Sequence, residues 1–373
     1  MPAAPRPRVL HAYKTYLPDT EGGIPAAIRA LGPACEGLVL ATRRPFAPRR
    51  IEAEGMPVLR VAAFGEALSL PLAPLYPLAL RRAARQADLV ALHAPFPLGD
   101  LGLAITPDVP LVVHWHADII RQRRAARLLA PLIRHTLARA ARIIVADGGM
   151  VAASPWLALV AGKCVVVPYG VEAAEWAEMT AAEAAEAAAL RAAHPRLVAA
   201  VGRLVGYKGF DVLVEAAARL DAQVVIAGEG PGHAALSARI AALGVGGRVA
   251  LAGRLPGPRL KALLHAARVL ALPSVSAAEA FGIVQLEAMA AGLPVVNTAL
   301  PTAVPRVARH GTEALTVPPG DAVALADALR RVLDDPGLAA ALGTAGRARV
   351  AGAFTMEAYR QGVGEAWRAA IGA

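Results

Sequence analysis

The stretch Arg268–Val296, RVLALPSVSAAEAFGIVQLEAMAAGLPVV, reads as strand, loop, helix and strand. RVLALPS is a short apolar run that ends at a Pro-Ser turn, and PVV opens another. Between them Ile283, Val284, Leu286 and Met289 are spaced to seat a helix on the sheet that the two strands share. Two strands joined by a helix lie parallel, with the helix packed on one face.

The same alternation runs outward in both directions. The first half supplies RVLHAY, GLVLAT, PVLRVA, DLVALHA, PLVVHWH, RIIVAD and CVVVPYG; the second supplies RLVAAVG, QVVIAG, RVALAG, RVLALPS, PVVNTA and ALTVPP. Each set builds one doubly wound parallel sheet, so the fold class is α/β with two facing Rossmann-like domains. The Ala- and Glu-rich stretch between the sets carries no strand, which places the boundary near residue 190. The expected division is 1–190, 191–354, and a last helix, 355–373, that crosses back to the N-terminal domain. Ligands of open parallel sheets sit beyond the carboxyl ends of the strands, so the expected site is the cleft between the domains.

Composition narrows the class. The 373 residues are 56% hydrophobic with a mean hydropathy of +0.46, yet no run of about 18 apolar residues free of charge or proline occurs. The first residues are basic but lead into only a short apolar run, unlike a secretory signal, so a cytoplasmic protein is expected. Cys35 and Cys164 stand far apart and imply neither a disulfide framework nor a zinc site. The net charge of +10 favours anionic partners.

The informative residues follow strands. In VGRLVGYKGFDVL, residues 201–213, Arg203 and Lys208 project from a loop that leads into a helix near Gly209, a place suited to phosphate oxygens. AGEGPGH, residues 227–233, is a second glycine-rich turn. Glu279 falls in the loop before the next helix and Glu287 on its second turn. The amides of Ala280, Phe281, Gly282 and Ile283 open that helix, where unpaired N–H groups and the helix dipole favour an anion. Carboxylates accept from hydroxyls and repel phosphate. Two of them around an anion-binding turn suit a ligand with hydroxyls at both ends and negative charge between, the chemistry of a nucleotide sugar. The plainer reading makes Glu279 a helix cap and Glu287 a solvated side chain. A hydrolytic acid and base pair is disfavoured, since eight helical residues rise about 12 Å where roughly 5–9.5 Å is needed.

These segments, with VPYGVE and HWHADI, resemble family 4 of the retaining glycosyltransferases, of GT-B architecture, in order and spacing across the whole chain. The resemblance implies that Arg203 and Lys208 bind the donor diphosphate, that Glu279 contacts the transferred hexose, and that Glu287 holds the ribose hydroxyls. It also matches Gly22 and Gly23, in KTYLPDTEGGIP, to a glycine pair near diphosphate and acceptor, and His116 to a strand-end histidine near the sugar. His114 shares that strand end, and His93 in LHAPFPLGD is a further candidate. Two loops depart from the family pattern, at Thr312-Glu313-Ala314 and at Ala303.

The implied activity is hexose transfer from a nucleotide-diphosphate sugar, with GDP-mannose favoured, to a saccharide or lipid-linked hydroxyl with retention, and without metal or other cofactor. The resemblance is nearest to enzymes that build bacterial surface polysaccharides. The rivals are a nucleotide-sugar epimerase on the same architecture, an NAD-dependent oxidoreductase, which lacks its Gly-x-Gly-x-x-Gly after either first strand, and a non-catalytic sugar-binding module. DIIRQRRAARLLAPLIRHTLARAARI, residues 118–143, reads as an amphipathic helix or pair of helices. Its arginines Arg121, Arg123, Arg124 and Arg127 beside Ile120, Leu128, Leu129, Leu132 and Ile133 are compatible with the inner face of an anionic membrane, or with a solvated face over a packed helix. No aromatic platform accompanies them, so nucleic acid is not expected as a partner.

Overall fold

The computed structural model describes residues 6–19, 22–67, 70–106, 109–119 and 127–372. It divides into two compact units, Met1–Tyr169 with Glu357–Ala373, and Gly170–Met356.

In the first unit the strands are β1 (Arg8–Ala12), β2 (Glu36–Arg43), β3 (Arg50–Ala53), β4 (Met56–Ala62), β5 (Glu66–Ala67), β6 (Leu70–Pro71), β7 (Leu89–Ala94), β8 (Leu111–Trp115), β9 (Arg142–Val145) and β10 (Cys164–Val166). The main sheet runs β10-β9-β8-β7-β1-β2-β4-β3. All its pairings are parallel except β3 with β4. Strand β3 (RIEA) escapes the sequence reading because it is short, half polar and at the sheet edge, and β5 and β6 because each is two residues long. The central strand β7 is buried along its whole length, as expected where helices cover both faces of a parallel sheet.

In the second unit the strands are β11 (Leu197–Val201), β12 (Gln223–Ala227), β13 (Val249–Gly253), β14 (Val269–Ala271), β15 (Val295–Thr298) and β16 (Ala314–Val317). They form one parallel sheet in the order β13-β12-β11-β14-β15-β16, the 3-2-1-4-5-6 order of a dinucleotide-binding fold. Its core joins Val224 and Ile226 of the sheet to Leu213 and Val214 of the Phe210–Ala217 helix and Leu325 and Leu329 of the Ala322–Asp334 helix. Asp321 caps the latter by accepting from the amides of Val323 and Ala324.

The chain passes between the units at Tyr169 and Gly170, about twenty residues before the expected boundary near 190. The Ala181–Ala193 helix belongs to the second unit. It packs on the Gly257–Ala266 helix, Lys261 Nζ lies 2.9 Å from Glu183 Oε2, and Arg191 donates to the His265 carbonyl. Its helical character is local and readable; the sheet it covers is a long-range choice. The final helix, Met356–Ile371, lays Tyr359, Val363, Trp367 and Ala370 against the first unit, one buried stripe at helical spacing.

Within residues 118–143, Ile120, Arg121, Arg123 and Arg124 lie outside the described residues. The described helix there is Ala130–Arg139, which buries Ile133, Thr136 and Leu137. Arg127 and Leu128 are exposed. No helix among the described residues is long and apolar enough to cross a membrane.

Candidate active site

The order of the second sheet reverses between β11 and β14, the switch point beyond whose carboxyl ends open parallel sheets bind ligands. Lys208 comes from the loop after β11, Glu279 from the loop after β14, and they meet: Lys208 Nζ lies 2.5 Å from Glu279 Oε2, with side-chain exposures of 12% and 9%. Ser274 Oγ donates to the same carboxylate oxygen at 3.0 Å. No hydrogen bond to Glu279 Oε1 comes from the described residues, so that oxygen can accept from a hydroxyl. Burial alone would lower the Lys208 ammonium, but the facing Glu279 carboxylate and its neighbours outweigh this and hold it above its ordinary range.

Glycines let these loops approach. Gly209 has φ +65°, and a Cβ there would stand 2.0 Å from the Pro273 carbonyl. Gly228 has φ +147°, and a Cβ would stand 1.9 Å from the Gly202 carbonyl. Only a residue without Cβ permits backbone contact this close. The Val275 amide donates to the Tyr207 carbonyl at 2.8 Å and ties the two active loops together.

Glu287 lies on the first turn of a seven-residue helix, Val284–Ala290, not the second, because Gly282 at φ +73° keeps the chain non-helical until Ile283. Burial pushes the Glu287 carboxyl up to about 7; Glu175 adds to the shift and Lys208 opposes it. Glu279 does not cap this helix, which has no side-chain cap, and Glu287 is half-covered rather than solvated. The plainer reading of both acids therefore fails. Among the described residues the amides of Ala280, Gly282 and Ile283 donate no backbone hydrogen bond, while the Ala280 carbonyl accepts from the Ala303 amide. Phe281 is buried and its ring meets Phe354 edge-on at 6.0 Å. Arg203 is exposed and makes no side-chain hydrogen bond or ion pair among the described residues.

In the first unit, Gly22 and Gly23 are exposed at the start of the Gly23–Ala30 helix that follows β1. His116, at the end of β8, is buried. Its Nε2 lies 2.8 Å from His93 Nδ1 and its Nδ1 lies 2.5 Å from the Tyr169 hydroxyl. Both ring nitrogens are thus used inside the unit, and burial lowers the imidazole to about 3. The ring is held neutral and offers no free nitrogen as a base.

Two family models match the chain in sequence: a glycosyl transferase 4-like domain over residues 22–170 and glycosyl transferases group 1 over residues 183–349. The first match ends where the structure divides. D-rhamnosyltransferase WbpZ of Pseudomonas aeruginosa is 33% identical over 93% of this chain and 92% of its own. The chain belongs to the glycosyltransferases.

A second relative, O-antigen chain mannosyltransferase C of Escherichia coli, is 30% identical over 94% of the glycosyltransferase described here and 95% of its own length. Solved structures give the same fold. Sucrose-phosphate synthase from Thermosynechococcus elongatus superposes with a TM-score of 0.81 at 23% identity, covering 97% of this chain and 98% of its own. Alr3699/HepE from Anabaena, in complex with UDP and glucose, gives 0.80 at 20% identity, covering 96% and 98%. The glycosyltransferase has the GT-B fold class, two Rossmann-like domains, and one of its whole-chain relatives is named for the O-antigen chain, a surface polysaccharide.

Sequence reasoning missed several residues of this glycosyltransferase. Ser274, last of RVLALPS, holds Glu279. A buried polar cluster fixes the helix that carries Glu287: Asn297 Nδ2 donates to Gln285 Oε1 at 2.8 Å and to the Ala308 carbonyl at 2.9 Å, and Thr316 Oγ1 donates to Asn297 Oδ1 at 2.7 Å. An asparagine inside an apolar parallel strand was the available signal, because a buried amide needs partners. Glu313, in the departing Thr-Glu-Ala loop, is buried and paired with Arg309, which is a structural role.

Proposed function

We propose that the glycosyltransferase moves a hexose from a nucleotide-diphosphate sugar to a hydroxyl of a saccharide or lipid-linked acceptor, with retention at the anomeric carbon. The observation that carries this reading is the Lys208–Glu279 pair at the β11/β14 switch point, with one carboxylate oxygen engaged and the other open to a hydroxyl. As the sugar–phosphate bond breaks, negative charge grows on the diphosphate. Lys208 and Arg203 face that charge, and the amides of Ala280, Gly282 and Ile283 add donors to it. Glu279 holds the hexose and Glu287 the ribose. The leaving phosphate takes the acceptor proton, a step for which the neutral, doubly bonded His116 ring is unsuited; His116 shapes the sugar side instead. Gly22 and Gly23 leave room for diphosphate and acceptor beside the β1 turn. The two cations supply the charge that a divalent metal provides elsewhere, so the reaction runs without one.

GDP-mannose is the favoured donor, a choice supported by whole-chain likeness to a protein named as a mannosyltransferase. Peripheral binding at the inner face of an anionic membrane fits a second feature: Phe64, Leu72, Leu75 and Leu78 are exposed, and Arg81 and Arg82 stand exposed on the Tyr76–Ala84 helix. Flotation with anionic and neutral vesicles tests it, and binding that ignores both lipid charge and salt contradicts it.

The activity is tested by incubating purified enzyme with GDP-mannose, or with UDP-glucose, and an O-antigen-type oligosaccharide, then reading the anomeric configuration of the product by proton NMR. An α-linked product from an α-donor is expected. An inverted product, or near wild-type transfer by Lys208→Ala or Glu279→Ala, contradicts the reading.

A further inference from the structure

The first unit buries four histidines that the sugar-transfer chemistry above does not use as acids or bases: His11, His93, His114 and His116. Three of them are linked end to end. Tyr169 Oη lies 2.5 Å from His116 Nδ1, His116 Nε2 lies 2.8 Å from His93 Nδ1, His93 Nε2 lies 3.1 Å from His11 Nδ1, and His11 Nε2 lies 3.8 Å from Cys35 Sγ. His114 stands outside the series. Its ring stacks on His93 at 4.6 Å and its buried Nε2 has no hydrogen-bond partner among the described residues.

A neutral imidazole has one N–H and one lone-pair nitrogen. Each of the three rings spends both nitrogens on its neighbours, so choosing the donor in any one link fixes every other link. Only two patterns exist: all bonds run from Tyr169 toward Cys35, or all run back. The far end breaks the tie. Cys35 Sγ is 3.5 Å from the Leu31 carbonyl, which only accepts, so the thiol proton points there and the sulfur is left to receive from His11 Nε2–H. In the reverse pattern the Tyr169 hydroxyl would accept from His116 Nδ1–H, and the thiol would have to abandon that carbonyl to donate to His11 Nε2. Burial keeps all four rings below their ordinary range, which maintains the neutrality this argument requires.

We propose that Tyr169, His116, His93, His11 and Cys35 form one directional hydrogen-bond chain that fixes His116 as its Nε2–H tautomer, with His93 and His11 as positioning residues for the His116 ring. The bearing on sugar transfer rests on the functional reading above, in which His116 shapes the sugar side; the tautomer assignment does not.

The test is a long-range proton–nitrogen correlation spectrum of the full-length protein labelled with 15N-histidine at neutral pH. It should show His11, His93 and His116 each protonated at Nε2 and unprotonated at Nδ1, with ring protons that exchange slowly with water. A ring protonated at Nδ1, or a doubly protonated ring, at any of the three overturns the chain. His93→Leu cuts the series, whereas His93→Gln keeps an acceptor for His116 Nε2–H and a donor for His11 Nδ1. The leucine variant should lose the slow His116 proton and lower kcat about tenfold or more at little-changed donor KM, and the glutamine variant should recover both. Unchanged His116 exchange and kcat in His93→Leu overturn the positioning role. If His93→Leu does not fold, the wild-type spectrum still decides the chain, and if no donor is turned over by the wild type, the functional reading fails while the spectrum decides the chain alone.

Discussion

Lys208 and Glu279, 71 positions apart in sequence, share a buried ion pair of 2.5 Å across the point where the second sheet reverses its strand order. The pair is built from opposite loops, so each side chain keeps the other tolerable in a poorly hydrated site. Removing one partner leaves a buried charge. Lys208→Ala and Glu279→Ala should each cost about 3–5 kcal/mol of stability in urea unfolding, and the double variant less than their sum. Both single variants should lose transfer by about 10²-fold or more. Additive stabilities would show that the pair is not coupled.

With Glu287 at the ribose, as proposed above, donor binding and stability should depend on pH in opposite senses. Its folded-state carboxyl is raised to about 7 from an ordinary 4.5. Between these values the unfolded chain has lost the proton and the folded one keeps it, so stability contributed by this group is complete below about 4.5 and declines as pH rises to about 7, by at most about 3 kcal/mol. If the ribose hydroxyls donate to this carboxylate, donor affinity should rise over the upper part of the same range. Melting temperatures and donor Kd values from pH 5 to 8, in wild type and Glu287→Gln, check both trends. A wild-type profile that Glu287→Gln leaves unaltered contradicts the assignment.

Asn297 should be a structural keystone for the Glu287 helix. Asn297→Ala strips the partner from Gln285 and Thr316 inside the core, and should cost at least about 2 kcal/mol, with Thr316→Val closer to 1. Urea unfolding of both variants measures this. Equal and small losses would mean that the cluster relaxes or hydrates.

Two glycines separate packing from ligand approach. Gly209→Ala forces a Cβ against the Pro273 carbonyl, and should lower the melting temperature and activity together. Gly22 has φ +149° and a Cβ there meets nothing within 4 Å. Gly22→Ala should therefore cost only about 1 kcal/mol of backbone strain while raising KM for donor or acceptor severalfold. A stability loss at Gly22 as large as at Gly209, with KM unchanged, would remove Gly22 from the site.

Much of this was legible in the chain. Thirteen apolar runs matched thirteen of the fourteen strands of the two main sheets, because parallel strands buried on two faces leave near-continuous β-branched segments. Lys208, Glu279 and the glycine turns were readable because they follow strands. The boundary was not, since the Ala181–Ala193 helix is amphipathic in the same way whichever sheet it covers. The histidine chain was also hidden: His11, His93 and His116 come from three separate strands whose adjacency, β8 beside β7 beside β1, is a property of topology. Ser274 and Asn297 carry no local pattern beyond being polar where the neighbours are not.

The central claim is that the carboxyl ends of β11 and β14 hold a nucleotide-diphosphate sugar, cations at its phosphates and acids at its hydroxyls. Calorimetric titration with GDP-mannose and UDP-glucose, in wild type, Arg203→Ala and Glu287→Ala, measures it directly. The account predicts saturable one-to-one binding of one of these donors by the wild type, weakened about tenfold or more in both variants. Unchanged affinity in both variants, or no binding of any nucleotide-diphosphate sugar by the wild type, would contradict it.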